Sequence, residues 1–219
     1  MHDFAAYRRN MIESQIRTNQ VTDAAVLEAF STVPRELFVP AAIAACAYVD
    51  EAVPLGNGRF LVEPMVTARL VQALDVKPHN KVLVVGAATG YMAAILSRLS
   101  AHVYALESDP ALAAQSTQNL RTLSASNVTV VQEPLERGHA RKSPYDVILC
   151  DGAVTTIPAA LSDQLIDGGR LAAVFASADG TSGQGVLMLK SHGTLSRRVL
   201  FDAVTPFLPG FAAEPAFVF

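Results

Sequence analysis

Val82 to Val85 is an unbroken apolar run, mostly β-branched, that passes directly into a turn bracketed by Gly86 and Gly90. A run of that kind suits a strand covered on both faces, which is the situation of an inner strand in a parallel sheet. From Tyr91 to Leu99 the apolar residues Met92, Ile95, Leu96 and Leu99 recur at helical spacing, so the turn opens a helix. His102 to Leu106 reads as a second strand, and Glu107 stands at its end. Strand, glycine turn, helix, strand and terminal acid form the unit that takes a nucleoside at the carboxyl edge of an open α/β sheet.

The glycine pattern narrows the ligand. A dinucleotide site asks for G-x-G-x-x-G/A, and with Gly86 first, Ala88 falls second and Tyr91 third. The third position needs a small residue for close helix–strand packing, so tyrosine argues against a nicotinamide dinucleotide. A nucleoside without a pyrophosphate has no such need, and S-adenosylmethionine is the expected cofactor. Glu107, seventeen residues beyond Gly90, can accept from both ribose hydroxyls. Gly86, Ala87, Ala88, Gly90, Tyr91, Glu107 and Ser108 are the candidate cofactor residues. The competing reading is an ordinary buried strand–helix turn followed by a surface glutamate.

Composition removes several other classes. A net charge of -3 gives no basic footprint for nucleic acid. The apolar residues, 51% of the chain, are dispersed in short runs, none near the roughly 18 residues of a membrane span. The first residues carry charges with no apolar stretch behind them and do not read as a signal peptide. Cys46 and Cys150 suit a reducing cytoplasm as buried free thiols. The histidines are scattered, and no metal site is indicated.

Along the chain, Phe4 to Arg17 and a segment capped by Thr22 or Asp23 read as helices, and Pro34 and Pro40 break the helix on either side of the next segment. Ala41 to Tyr48 is a short helix, Asp50 to Pro64 a turn-rich loop over the sheet edge, and Met65 to Leu74 the helix entering the sheet. Ala111 to Leu123 is a crossover helix, and Asn127 to Gln132 a strand ending at Glu133. Tyr145 to Cys150 is a strand stopping at Asp151 and Gly152. Pro158 to Leu165 is helical, Asp167 to Gly169 a turn, and Arg170 to Phe175 a strand. Gly180 to Gly185 is a flexible turn, and Val186 to Lys190 with Arg197 to Ala203 make a hairpin. The alternation predicts a doubly wound, mostly parallel Rossmann-like sheet with an N-terminal helical cap. The expected organisation is one domain, residues 1–219, with a lead-in and substrate loop over 1–64 and the cofactor-binding core over 65–219.

The lead-in carries a resemblance. Met11 to Arg17, Val21 to Asp23, Val26 to Ala29 and Val33 to Pro40, followed by Gly86, Gly90, Tyr91 and Gly168 to Leu171, are similar almost position by position to the protein-L-isoaspartate O-methyltransferase family. The resemblance implies a class I methyltransferase sheet, S-adenosylmethionine as cofactor, and a peptide or protein carrying an isoaspartyl carboxylate as substrate. It also exposes departures. The family's G-Q-T-I-S-Q-P loop is here Gly58 to Pro64, with Arg59, Phe60 and Val62 in place of the glutamine, threonine and serine. Val84 stands where the family has an acid, and Gln132, Glu133 and Pro134 where it has G-D-G at the adenine edge, so that Glu133 is left to accept from the adenine amino group.

A carboxylate acceptor is already ionised near neutrality, so loss of the loop hydroxyls removes orienting hydrogen bonds, about 1 to 3 kcal/mol each, and no proton acceptor. Arg59 has two readings, a bidentate partner for the substrate carboxylate or a solvated loop charge. Asp151 likewise faces ligand at a strand end or caps the next helix. Arg59, Val62 and Asp151 are the candidates for the reacting end. Phe60, Glu133, Pro134, Asp151 and Gly152 join the cofactor set. Phe207 to Phe211 is expected to fold over the rim of the site. The alternative function is a methyltransferase-like protein that binds the cofactor with a changed substrate or without catalysis. Oligomeric state is not legible.

Overall fold

The computed structural model describes residues 2–212. Helix α1 (Phe4–Met11), capped by the Asp3 carboxylate on the Ala6 amide, continues through a π turn (Ile12–Ile16) and a 3-10 turn (Arg17–Asn19), so the expected long first helix exists with a change of pitch. Asp23 caps α2 (Ala24–Thr32), its Oδ1 accepting from the Val26 amide at 2.9 Å. Strands β1 (Val53–Gly56) and β2 (Arg59–Leu61) precede α3 (Pro64–Leu74), β3 (Lys81–Val85), α4 (Tyr91–Ser97), β4 (His102–Glu107) and α5 (Pro110–Thr122). Next come β5 (Val128–Gln132), β6 (Tyr145–Val154), α6 (Ala159–Ser162), β7 (Leu165–Ala176), β8 (Gly183–Ser191) and β9 (Thr194–Asp202).

The main sheet has the order β5-β4-β3-β6-β7-β8-β9, parallel from β5 to β7 and antiparallel through β8 and β9. It is the doubly wound sheet that the sequence predicts. The chain steps outward from β3 through β4 to β5 and then returns from β5 to β6 on the other side of β3, so the strand order reverses there and opens a crevice at the carboxyl ends. The pleat divides the apolar residues of β3 between two cores. Val82 and Val84 join α3, α4 and the lead-in on one face, while Leu83 and Val85 join Ile148, Leu161, Leu208 and Phe211 on the other. All four are fully buried, as a central parallel strand requires.

Several expectations need correction. The Asp50 to Pro64 loop contains an antiparallel hairpin, with Val53 opposite Leu61 and Pro54 opposite Phe60. Gly56, Asn57 and Gly58, all at positive φ, make its turn, and the buried residues Val53, Leu55 and Leu61 alternate around it. β6 does not stop at Cys150 but runs to Val154, because a bulge shifts its pairing with β7 between Leu149 and Ala153. Only Ala159–Ser162 of the expected helix forms. Leu165 already pairs with Tyr145, and the Asp167 to Gly169 turn is an excursion within β7. Cys46 is exposed, lying on a short 3-10 segment (Ala41–Cys46) rather than in the core, whereas Cys150 is buried. The Gly180 to Gly185 turn gives way to strand at Gly183, and of the aromatic tail expected to act as cover, residues 213–219 lie outside the described part.

The lead-in is fastened to the sheet by polar contacts under its apolar packing. Arg35, completely buried, donates from Nε to the Ala47 carbonyl at 2.6 Å and from Nη2 to the Val62 carbonyl at 2.7 Å. Its guanidinium also lies 4.8 Å from the centre of the Tyr91 ring. Thr89 donates to the Phe38 carbonyl at 2.6 Å, and Asn119 donates to the Thr89 carbonyl at 2.9 Å. These bonds tie lead-in, glycine turn and α5 into one support beside the crevice.

Candidate functional site

The turn after β3 is shaped by backbone that side chains tolerate poorly. Gly86 and Gly90 have φ of 83° and 97°, and Ala88 sits at 46°. The amides of Gly86 and Ala87 both donate to the Leu106 carbonyl at 2.9 Å, which draws the turn against the end of β4. Gly90 also permits close packing, since a Cβ there would stand 2.5 Å from Ser116 Oγ. The result is Glu107 held directly under the turn, with no exposed surface.

Glu107 is fully engaged. Its Oε2 accepts from the Ala88 amide at 2.7 Å, and its Oε1 accepts from the amides of Ser108 and Asp109 at 2.8 and 3.0 Å. Arg59 Nη1 completes the set, 2.6 Å from Oε1 and 2.8 Å from Oε2, while Nη2 donates to the Gly86 carbonyl at 2.9 Å. The pair is almost wholly desolvated, with side-chain exposures of 4% and 0%. The reading of Arg59 as a solvated loop charge is thereby corrected, because β2 aims it inward at the nearest buried anion, and the carboxylate it pairs with here is Glu107. Glu107, expected to face a ribose, faces a guanidinium.

A second group closes the same place. The segment after β9 returns across the carboxyl edge of the sheet, the Ala153 amide donating to the Pro206 carbonyl and the Leu208 amide to the Ala153 carbonyl, each at 2.9 Å. This is the fold-back expected of Phe207 to Phe211, and it carries Leu208 into the crevice. A Cβ on Gly152 would stand 2.8 Å from Leu208 Cδ2. One on Gly86 would collide with that methyl and lie 3.1 Å from Arg59 Nη2.

Behind the ion pair lies a buried polar cluster. Asp151 occupies the β6 bulge and caps no helix, and its Oδ1 is buried without a hydrogen-bond partner. Burial pushes its carboxyl up to about 7, with Arg59 and Arg35 pulling the other way. Arg35 Nη1, Glu63 Oε2, Tyr91 Oη and Thr205 Oγ1 are likewise buried and unpartnered. Burial raises Glu63 and Tyr91 and lowers Arg35, each favouring its neutral form. Cys150, next to Asp151, is driven up to about 12 and is not a nucleophile.

The remaining predicted residues separate into groups. Val62 is buried and contributes its carbonyl to Arg35, while Phe60 is half-buried on β2. Tyr91 does not border open space: its ring packs edge-on to Phe30 and Phe38 beneath Arg35. Ser108, Glu133 and Pro134 do border space, a cavity of about 360 Å³ shared with Gln132, Glu136 and Pro209. Glu133 there lies 3.2 Å from His139 Nδ1. A larger cavity of about 780 Å³ lies between the lead-in, the hairpin and α5, bordered by Phe38, Leu55, Asn57, Thr89 and Gln115. Neither is bordered by Gly86 or Glu107. Sequence reasoning missed Arg35, Glu63 and Thr205, and reached Leu208 only as part of the segment expected to fold over the rim. The available signal was a charge inside an apolar surround, as at Arg35 near Leu37 and Phe38.

The family model for protein-L-isoaspartate(D-aspartate) O-methyltransferase matches residues 6–193. A protein-L-isoaspartate O-methyltransferase of Roseiflexus castenholzii is 39% identical over 212 residues, covering 96% of this chain and 95% of the relative. One from Methanoregula boonei is 37% identical over 202 residues, covering 92% and 91%. Among solved structures, a protein-L-isoaspartate O-methyltransferase superposes with a TM-score of 0.80 at 23% identity, covering 93% of this chain and 66% of the other. A Plasmodium falciparum structure assigned to the same activity, in complex with S-adenosyl-L-homocysteine, gives 0.77 at 18% identity, covering 94% and 98%. At these identities the superpositions speak for the fold.

Proposed function

The chain belongs to the protein-L-isoaspartate(D-aspartate) O-methyltransferase family, and from that premise we propose that it is an S-adenosylmethionine-dependent O-methyltransferase acting on isoaspartyl carboxyl groups of peptides and proteins. The observation that carries the reading is the site's frame: Gly86 at the end of β3, Glu107 at the end of β4 and Asp151 on β6 meet at one crevice. A cytoplasmic setting belongs to the same proposal and is supported by two cysteines that form no disulfide.

The side chains as arranged do not fit the cofactor. Glu107 has no oxygen left for a ribose, and Leu208 covers the glycines at which a nucleoside would make its close approach. The crevice has to open before a nucleoside can enter. On the acceptor side the demand on the protein is small, because an ionised carboxylate needs orientation and exclusion of water rather than deprotonation.

A second reading, a family member that has changed substrate or lost catalysis, is favoured by the Arg59–Glu107 pair and by Phe60 and Val62 in place of loop hydroxyls. Transfer of a tritiated methyl group from S-adenosylmethionine to an isoaspartyl peptide, beside its aspartyl twin, separates the two. The first reading expects base-labile label on the isoaspartyl peptide alone. A blank at high enzyme concentration leaves only the second.

A further inference from the structure

We infer that Arg59 is a built-in occupant of the sugar position in the nucleoside crevice, so that a nucleoside is admitted only as the guanidinium leaves Glu107. The inference rests on the crevice being the cofactor site, as proposed above, and adds what holds it shut. A carboxylate that takes a ribose does so by accepting from two adjacent hydroxyls. Arg59 supplies the same pattern by donating to both oxygens of Glu107, and strengthens it with a full charge.

The closure is built from two separate parts of the chain. Arg59 enters from the β1–β2 hairpin, whose other fastening is the Asn57 side chain donating to Asp109 Oδ2 at 2.8 Å. Asp109 caps α5, accepting from the Ala111 and Leu112 amides, so the hairpin is latched to the residues just beyond Glu107. Leu208 enters from the other side on the segment paired with Ala153. Between them they occupy the approach to Gly86, while the adjoining cavity at Ser108, Glu133 and Pro134 stays open. The space beside the crevice is thus present, and what is missing is the connection through the sugar position.

The substitution behind the closure is also visible in the loop. The resembling family has glutamine where this chain has Arg59, and a neutral, shorter side chain forms no ion pair with Glu107. Exchange of Arg59 for ribose hydroxyls removes a cation from a crevice that also contains Asp151, so the built-in occupant competes with any incoming neutral sugar on electrostatic terms.

The test is calorimetric titration of S-adenosylhomocysteine into the full chain, into Arg59→Gln and into Leu208→Ala, with circular dichroism and thermal unfolding to establish that each is folded. Arg59→Gln is expected to bind at least tenfold more tightly than the unaltered chain, and Leu208→Ala to show a smaller gain. If the unaltered chain binds and Arg59→Gln binds no better, the occupant role is overturned while the cofactor reading stands. If no folded protein of the three binds, the crevice is not a nucleoside site and both are overturned. Should Arg59→Gln fail to fold, Leu208→Ala decides: a gain supports the closure, and unchanged affinity overturns it.

Discussion

Removing the guanidinium from Glu107 makes a prediction whose size comes from the geometry. Arg59→Met keeps most of the side-chain volume and deletes the charge, leaving a carboxylate with no exposed surface and three amide donors. Breaking a buried ion pair by deleting one partner costs about 3 to 5 kcal/mol, because the survivor is stranded. The three retained amides hold the loss to the lower end, about 3 kcal/mol, which for a chain of this size lowers Tm by about 6 to 12 °C. Glu107→Gln strands the Arg59 charge instead, with the Gly86 carbonyl and one neutral amide oxygen as acceptors, at a comparable cost. The double variant leaves neither charge, and exchange of a buried pair for neutral groups is often nearly neutral, so its loss is expected to fall well short of the sum of the two single losses, about 6 kcal/mol. Urea unfolding followed by far-ultraviolet circular dichroism gives all four stabilities. Additive single effects, or a cost below about 1 kcal/mol for Arg59→Met, would refute the claim that the pair is desolvated and joined.

Asp151 gives the pH dependence. Its carboxyl is raised by burial from 3.8 to about 7, so the unfolded chain ionises first as pH climbs. Its contribution to stability is complete below about pH 4 and is lost progressively towards pH 7, by about 4 kcal/mol in total. Asp151→Asn removes that loss, so urea titrations at pH 4 and pH 8 should show the variant gaining on the unaltered chain at the higher pH; parallel curves would contradict the burial argument. Gly90→Ala places a Cβ at φ of 97° and against Ser116, and should cost about 1 to 3 kcal/mol by the same measurement, whereas a neutral result would mean the turn is relaxed.

The frame of this protein was legible because its signals are local and redundant. Val82 to Val85, the two turn glycines and the strand-end Glu107 each announce the same unit by residue type, and the structure forms it with Glu107 beneath the turn. The hairpin inside residues 50–64 was not legible from Gly56, Asn57 and Gly58 alone, because such a cluster reads equally as a loop and only the alternation on either side marks the strands. The full length of β6 was not legible, because a bulge has no composition of its own.

The state of the site was not legible for a different reason. An arginine after a turn glycine looks the same in sequence whether it points to solvent or inward, and its direction here depends on strand pairing forty-eight residues away from its partner. Leu208 is still less visible: it matters through the seat its segment takes beside Ala153, a tertiary fact. Substitution of the loop hydroxyls was readable as a change, but its meaning comes only with the Arg59–Glu107 contact.

A crystal structure of the chain grown with S-adenosylhomocysteine puts the whole account at risk at once. The expected map has the sugar hydroxyls on Glu107, the adenine beside Glu133 and Pro134, and the Arg59 guanidinium moved off the carboxylate. Nucleoside density elsewhere, with Arg59 still on Glu107 and Gly86, would contradict it.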